Sequence, residues 1–232
     1  EFNGKLYLSA RDDENGNELY VSDGTAEGTQ LLVDLYPGEN NYGNVNSSDP
    51  SNLVEFNDKL YFSASNGENG TELFVSDGTA EGTQLVADIN QGEDSSGYSY
   101  GSSPSNLVEF NGKLYFTAND SETGTELYVS DGTSEGTQLV ADINPGLNNY
   151  SFPNGSFPSE LTVVGDELFF SADNGETGTE LFKLTVDDSI DETLTLIHGC
   201  DGSDNLLGGE EVFATLDGIN PEQLTCNHFE TI

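Results

Sequence analysis

Apolar residues in this chain occur in short runs, separated by segments rich in Gly, Asn, Asp and Ser. In one clear unit the runs lie at 51–56, 59–64, 72–76 and 83–89. Asn57 and Asp58 join the first two runs, and such a two-residue connection predicts a β-hairpin, because these residue types accept the positive φ that the turn requires. No segment has the apolar spacing of an amphipathic helix over a useful length. The pattern predicts an all-β chain of short strands.

This unit is repeated along the chain. Residues 2–7 read Phe-Asn-Gly-Lys-Leu-Tyr, and related hexapeptides follow at intervals of 54 residues, at 56–61, 110–115 and, more weakly, 164–169. Each repeat contains four predicted strands that are apolar on both faces, which is typical of sheets packed between two neighbours. We predict a β-propeller of about four blades in residues 1–197, with repeats starting near residues 2, 56, 110 and 164. We predict that residues 198–232 form a C-terminal closure segment.

The first repeat begins at its second strand, so its blade lacks a partner strand. We predict that a strand at 212–216 completes this blade by lying beside 5–10, because an exposed apolar edge favours pairing. The alternative is an open array of blades, or one that a strand from another chain closes. The chain begins with Glu1 rather than Met, which indicates a processed product or a fragment.

The net charge of the chain restricts the classes of molecule that it is expected to bind. The chain has 43 acidic and 5 basic residues, a formal net charge of −38. A polyanion of this kind is not expected to bind nucleic acid or an anionic membrane surface. Membrane insertion is not expected either, because no apolar run approaches the roughly 18 residues of a spanning helix.

A second motif carries a resemblance to a known family. Residues 18–25 read Glu-Leu-Tyr-Val-Ser-Asp-Gly-Thr, and close copies occur at 72–79 and 126–133. This motif resembles the bacterial repeat family named for Glu-Leu-Trp-x-x-Asp-Gly-Thr, with Tyr or Phe in place of the Trp. The resemblance implies propeller-like blades in a secreted or cell-surface protein, and it implies no particular activity.

Two groups of aspartates are candidate calcium ligands. The aspartate of each Asp-Gly-Thr turn is one group, for which the alternative is a cap on its own turn; these residues are Asp23, Asp77 and Asp131. Residues 199–209 resemble one turn of the calcium-binding nonapeptide repeat of secreted toxins and proteases. That resemblance implies calcium at Asp201 and Asp204, and the alternative is an Asp/Gly-rich connecting loop.

Both cysteines of the chain, Cys200 and Cys226, lie outside the repeats. An even pair of cysteines in an exported chain predicts a disulfide bond. The alternative is a zinc site, because His198 and His228 are placed symmetrically about the two cysteines and would complete a Cys₂His₂ set.

The segments that differ most between repeats lie at 39–49, 93–103 and 147–157. They combine Asn, Ser and Gly with aromatic residues, a mixture typical of binding loops, although surface loops also diverge without a function. The candidate ligand-binding residues are Tyr42, Tyr98, Tyr100, Tyr150 and Phe152.

The repeats contain neither His nor Cys, and we predict that the chain is not an enzyme. The sequence favours a secreted or cell-surface adhesive or structural propeller that calcium stabilises. Its expected partners are further copies of itself, or a polysaccharide of the cell surface or matrix. The alternatives are a subunit of an extracellular filament built by strand exchange, and a carbohydrate-binding module.

Overall fold

The computed structural model of the protein describes residues 1–186, 192–197 and 210–215. Within these ranges every regular element is a β-strand, and the strands form four antiparallel sheets. The prediction of an all-β chain is confirmed. The described residues contain no helix that is long and apolar enough to cross a membrane. A closed ring of four blades stays a prediction.

Each sheet is built from strands that are consecutive in the sequence. Sheet 1 contains β1 (Leu6–Asp12), β2 (Gly16–Ser22) and β3 (Gln30–Val33). Sheet 2 contains β4 (Ser51–Phe56), β5 (Lys59–Ser65), β6 (Thr71–Ser76) and β7 (Gln84–Ala87). Sheet 3 contains β8 (Ser105–Phe110), β9 (Lys113–Asp120), β10 (Gly124–Ser130) and β11 (Gln138–Ala141). Sheet 4 contains β12 (Ser159–Val164), β13 (Glu167–Asp173), β14 (Thr179–Val186), β15 (Glu192–Ile197) and β16 (Glu210–Thr215).

The hairpins at the start of the repeats have the predicted turns. Asn57 and Asp58 adopt φ values of 49° and 56° between β4 and β5. The equivalent pair between β8 and β9, Asn111 and Gly112, has φ values of 49° and 71°. Positive φ at both positions brings two adjacent strands together with the right-handed twist of a sheet, so the turn chemistry sets the strand register locally.

The C-terminal strand does not lie where the sequence predicted. β16 pairs with β15, with Ile197 opposite Glu210 and Thr193 opposite Thr215, and it forms the fifth strand of sheet 4. The prediction that 212–216 lies beside 5–10 is therefore wrong for its described part, and Leu216 lies outside the described residues. β15 is the strand immediately before β16 in the sequence, and strands that are consecutive in the sequence usually pair with each other.

The core lies between the sheets, because each sheet has two apolar faces. We call the face of sheet 2 that carries Leu60, Phe62 and Ala64 its Leu–Ala face, and the opposite face, with Tyr61 and Val75, its Tyr–Val face. The equivalent faces of the other sheets receive the same names.

The Tyr–Val face of each of the first three sheets packs on the Leu–Ala face of the next sheet. Between sheets 1 and 2 this core joins Tyr7, Leu19 and Val21 to Leu60 and Phe62. Full burial of each Leu or Phe side chain contributes about 1.5–3 kcal/mol, so these repeated contacts are the main source of stability.

Candidate functional site

Three equivalent loops connect the sheets and reach into solvent. They span residues 39–45, 93–99 and 147–153, and we call them the bridged loops. An isolated β-bridge joins the two ends of each loop, between Glu39 and Val45, Glu93 and Ser99, and Leu147 and Pro153. The bridges give all three loops the same closed geometry, although their sequences differ.

An Asn or Asp side chain holds the backbone of each bridged loop. Asn148 Oδ1 accepts the N–H groups of Tyr150 at 2.9 Å and of Phe152 at 3.2 Å. The same contacts occur at Asn40, with Tyr42 and Asn44, and at Asp94, with Ser96 and Tyr98. The aromatic residues are therefore attached to a backbone whose position is fixed by hydrogen bonds.

The aromatic side chains of the bridged loops project into solvent. The exposed fraction is 88% for Tyr42, 82% for Tyr150, 68% for Tyr98 and 66% for Phe152. Tyr100, just beyond the second loop, is 40% exposed. Apolar groups that are exposed together on a rigid support are typical of binding surfaces, because a ligand that covers them removes apolar area from water.

A buried glutamate ties together the two segments that flank each bridged loop. Glu72 accepts the N–H of Ile89 at 3.2 Å before the second loop, and the N–H of Ser102 at 2.8 Å after it. The hydroxyl of Ser102 also donates to this carboxylate. Glu18 and Glu126 make the same contacts around the other two loops.

These three glutamates, which we call the Glu latches, have no exposed surface. Burial raises the pKa of Glu72 and of Glu126 to about 7, and the hydrogen bonds from Ser102 and Ser156 oppose part of this rise. The pKa of Glu18 is raised for the same reason. The Glu latches are buried and link a strand to the backbone on both sides of each loop. A change in the charge or position of these carboxyls is therefore expected to change the position of the loops.

An open cleft of about 130 Å³ lies beside the second bridged loop. Its lining includes Glu68, Asn69, Asp88 and the ring of Tyr100. Asn69 Nδ2 donates to Asp88 Oδ2 at 2.7 Å, whereas Asp88 Oδ1 is buried and has no hydrogen-bond partner among the described residues. The cleft thus combines an aromatic ring with carboxylate and amide groups.

The aspartates of the Asp-Gly-Thr turns cap their own turns. Asp77 Oδ1 accepts the N–H of Thr79 at 2.9 Å and its hydroxyl at 2.7 Å, and Asp23 and Asp131 make the same contacts. These hydrogen bonds lower the pKa of all three carboxyls. Within the described ranges no three metal-ligating side chains come together. Calcium at these turns stays a prediction.

The remaining predicted site residues lie outside the described part of the chain: Asp201, Asp204, Cys200, Cys226, His198 and His228. The calcium site, the disulfide bond and the alternative zinc site proposed for them stay predictions.

Sequence reasoning missed the Glu latches and the cleft. Glu72 belongs to a column of acidic residues that recurs in every repeat, and Ser102 belongs to a second recurring column thirty residues later. The recurrence of both columns at a constant separation was the available signal. Asp88 also belongs to a recurring column, with Asp34 and Asp142, but recurrence does not reveal a cleft that distant segments form.

No protein-family model matches this chain, and no curated protein is similar to it in sequence. The resemblance to the Glu-Leu-Trp-x-x-Asp-Gly-Thr repeat family therefore stays a prediction.

Solved structures gave low-scoring similarities. One is Bacteroides ovatus xyloglucan PUL GH43B, with 17% identity and a TM-score of 0.41 over 93% of this chain and 50% of that chain. An α-L-arabinofuranosidase from Clostridium thermocellum has 18% identity and a TM-score of 0.35, over 81% of this chain and 67% of that one. A thermostable family-43 glycoside hydrolase has 12% identity and a TM-score of 0.23, over 72% and 53% of the two chains.

The chain spans about half the length of the first of these proteins. The second and third are named as an α-L-arabinofuranosidase and a family-43 glycoside hydrolase, which are enzymes, and we withdraw the prediction that the chain is not an enzyme. At these TM-scores the similarity assigns no activity to this chain.

Proposed function

We propose that this chain is a secreted or cell-surface module that binds neutral polysaccharide through the bridged loops. The observation that carries the proposal is the presence of highly exposed aromatic side chains on three equivalent loops, led by Tyr42, Tyr98 and Tyr150. Flat aromatic rings provide large contact areas for the apolar C–H faces of sugar rings.

The rigidity of the loops supports this function. The side chain of Asn148 holds the amides of Tyr150 and Phe152, and the Glu latches hold the segments on either side of each loop. A ligand that stacks on these rings therefore orders little of the protein, so less of the contact energy is lost to conformational entropy on binding.

The cleft beside the second loop supplies polar groups of the kind that sugar hydroxyls require. Glu68, Asn69 and Asp88 line this cleft together with the ring of Tyr100. Carboxylate and amide groups accept and donate hydrogen bonds, so a sugar unit that stacks on the ring can pair its hydroxyls beside the second loop.

The charge of the chain selects the class of polysaccharide. A net charge of −38 repels uronate-containing or sulfated chains, whereas a neutral chain experiences no such repulsion. Three equivalent loops also allow one long polysaccharide to occupy several weak sites at once, which raises the apparent affinity for polymers above that for short oligosaccharides.

Binding of a panel of neutral and acidic polysaccharides, measured by affinity electrophoresis and calorimetry, tests the proposal. Each of the changes Tyr42→Ala, Tyr98→Ala and Tyr150→Ala should weaken binding by about 3- to about 10-fold, and the triple variant should lose it. Val163→Ala is the control, because Val163 is 39% exposed on β12, outside the loops.

Unchanged binding by the triple variant, or no binding of any neutral polymer by the wild-type chain, would overturn the proposal. The Tyr→Phe changes at the same positions should retain most of the affinity, because they keep the ring. Reducing ends released in the same mixtures report any hydrolysis.

A further inference from the structure

The two outer faces of the array are apolar at positions that are buried everywhere else. Leu6 on the Leu–Ala face of sheet 1 is 54% exposed, whereas the equivalent leucines, Leu60, Leu114 and Leu168, are 3%, 0% and 0% exposed. Leu8, Ala10 and Tyr20 on the same face are partly exposed and belong to none of the three clusters that join the described sheets.

Among the described residues, the turn that borders this face has an unfilled space. A Cβ atom placed on Gly78 of sheet 2 would lie 2.7 Å from the hydroxyl oxygen of Tyr7, which comes from the Tyr–Val face of sheet 1. A Cβ atom on Gly132 of sheet 3 would lie even closer to the hydroxyl oxygen of Tyr61. Gly24, the equivalent glycine of sheet 1, has no described neighbour within 4 Å of the same point. The space that receives a tyrosine in sheets 2 and 3 is thus not filled by any described residue in sheet 1.

Among the described residues, the Tyr–Val face of sheet 4 carries an aromatic residue at the position that fills this space elsewhere. No other described sheet covers this face. The Tyr–Val face of sheet 4 presents Val164, 59% exposed, and Leu181, 41% exposed. Phe169 occupies the position of Tyr7 and Tyr61 in the repeat, and it is partly exposed. Lys183 replaces the valine of the other repeats, but its ammonium lies 3.2 Å from Glu167, so its charge is paired on the face itself.

We propose that the Leu–Ala face of sheet 1 binds the Tyr–Val face of sheet 4 from a second copy of this chain. The contact repeats the packing already present between sheets 1 and 2, 2 and 3, and 3 and 4, with Phe169 of the second copy beside Gly24. This docking surface is separate from the bridged loops and requires no polysaccharide.

The contact is heterologous, because each copy uses a different face on each side. Copies therefore add head to tail, and the product is a filament or a larger ring, depending on the rotation between them. Each copy carries a net charge of −38, so repulsion opposes association at low salt and weakens as salt is added.

Complementary variants test the proposal in sedimentation velocity runs on the full chain over a range of protein and salt concentrations. The wild-type chain should form oligomers whose size increases with the protein concentration and with the salt concentration. Leu6→Asp should block one face and Leu181→Asp the other, each weakening association by at least about 30-fold. An equimolar mixture of the two variants should form one-to-one dimers and nothing larger, because each variant retains one intact face.

Leu147→Asp is the matched control, since Leu147 is 65% exposed on the third bridged loop, away from both faces, and this variant should associate like the wild type. Circular dichroism and thermal melting report whether each variant is folded, and Leu6→Ala and Leu181→Ala replace any variant that is not. A monomeric wild-type chain at all salt concentrations would overturn the proposal. So would dimers of Leu181→Asp alone, which would indicate a symmetric contact between two Leu–Ala faces, or a mixture that stays monomeric.

Discussion

Replacing Glu72 and Glu126 by glutamine should remove most of the pH dependence of folding between about pH 4.5 and about pH 7. In the folded chain burial raises the pKa of both carboxyls from 4.5 to about 7. As the pH rises through this window, the unfolded chain loses these protons before the folded chain does. The free energy of unfolding therefore decreases as the pH rises, and it levels off above the folded pKa.

The size of this decrease in the free energy of unfolding follows from the rise in the pKa of the two carboxyls. A rise in pKa from 4.5 to about 7 corresponds to about 3 to 4 kcal/mol per carboxyl, because one pKa unit is worth about 1.4 kcal/mol. Two latches set an upper limit of about 7 kcal/mol for the loss of stability across the window. The lowered pKa values of Asp23, Asp77 and Asp131 act in the opposite direction, and the stability they contribute is lost only as the pH falls below their ordinary range.

Glutamine keeps the shape of the side chain but cannot titrate. Its amide group also faces the N–H donors of Ile89 or Ser102, so each variant should lose about 1–3 kcal/mol at low pH, where the wild-type carboxyl is protonated. The unfolding free energy is measured by urea titration between about pH 5 and about pH 8. Circular dichroism or tyrosine fluorescence follows the transition, because the chain has no Trp.

Glu180→Gln is the matched control, because Glu180 occupies the same repeat position in sheet 4 and is only partly buried. This control should keep the wild-type slope of stability against pH. Wild-type stability that is constant or increases from pH 5 to pH 7.5, or a double variant that keeps the wild-type slope, would refute the reasoning.

Three further predictions concern a backbone angle, a side-chain hydrogen bond and the candidate calcium sites. Ser151 has φ 65°, where the other two bridged loops have glycine, so Ser151→Gly should raise the free energy of unfolding by about 1 kcal/mol in urea titrations; no gain would mean that this backbone is unstrained. The Tyr128 hydroxyl donates to Asp120, so Tyr128→Phe should cost about 1–3 kcal/mol. Adding Asp120→Asn should recover most of that loss in the same assay, because the equivalent pair in sheets 2 and 4 is Phe with Asn; an additive double variant would argue against the pairing. If calcium binds the Asp-Gly-Thr turns or the C-terminal aspartates, chelation should lower the thermal midpoint, and sodium chloride at matched ionic strength should not restore it.

Much of the local structure was readable from the sequence because its causes are local. The hairpin at Asn57 and Asp58 depends on residue types that accept positive φ, and the structure has that turn. Strands with apolar residues on both faces predicted sheets packed on both sides, and sheets 2 and 3 show this packing. The exposed loops with Tyr42, Tyr98 and Tyr150 were also predicted, because a loop between two repeats lies at the surface.

Other features depended on contacts between distant segments. The position of β16 was predicted wrongly, because the choice between two strand edges depends on which edge lies nearer in space, and both edges are apolar in sequence. The Glu latches appeared in the sequence as a recurring acidic column, which does not indicate whether its members are buried. Their burial depends on donors such as Ser102, which the fold brings to Glu72 from thirty residues away.

Leu6 and Leu60 show most clearly the difference between a property with a local cause and one that depends on packing. Both stand in the same repeat motif, after Lys and before Tyr, and this local pattern predicts that each is a strand residue on an apolar face. Their burial differs, with Leu60 3% exposed and Leu6 54% exposed, because sheet 2 has a neighbour on that side and sheet 1 has none among the described residues. A residue's periodicity is set by its own strand, whereas its burial is set by whatever packs against that strand.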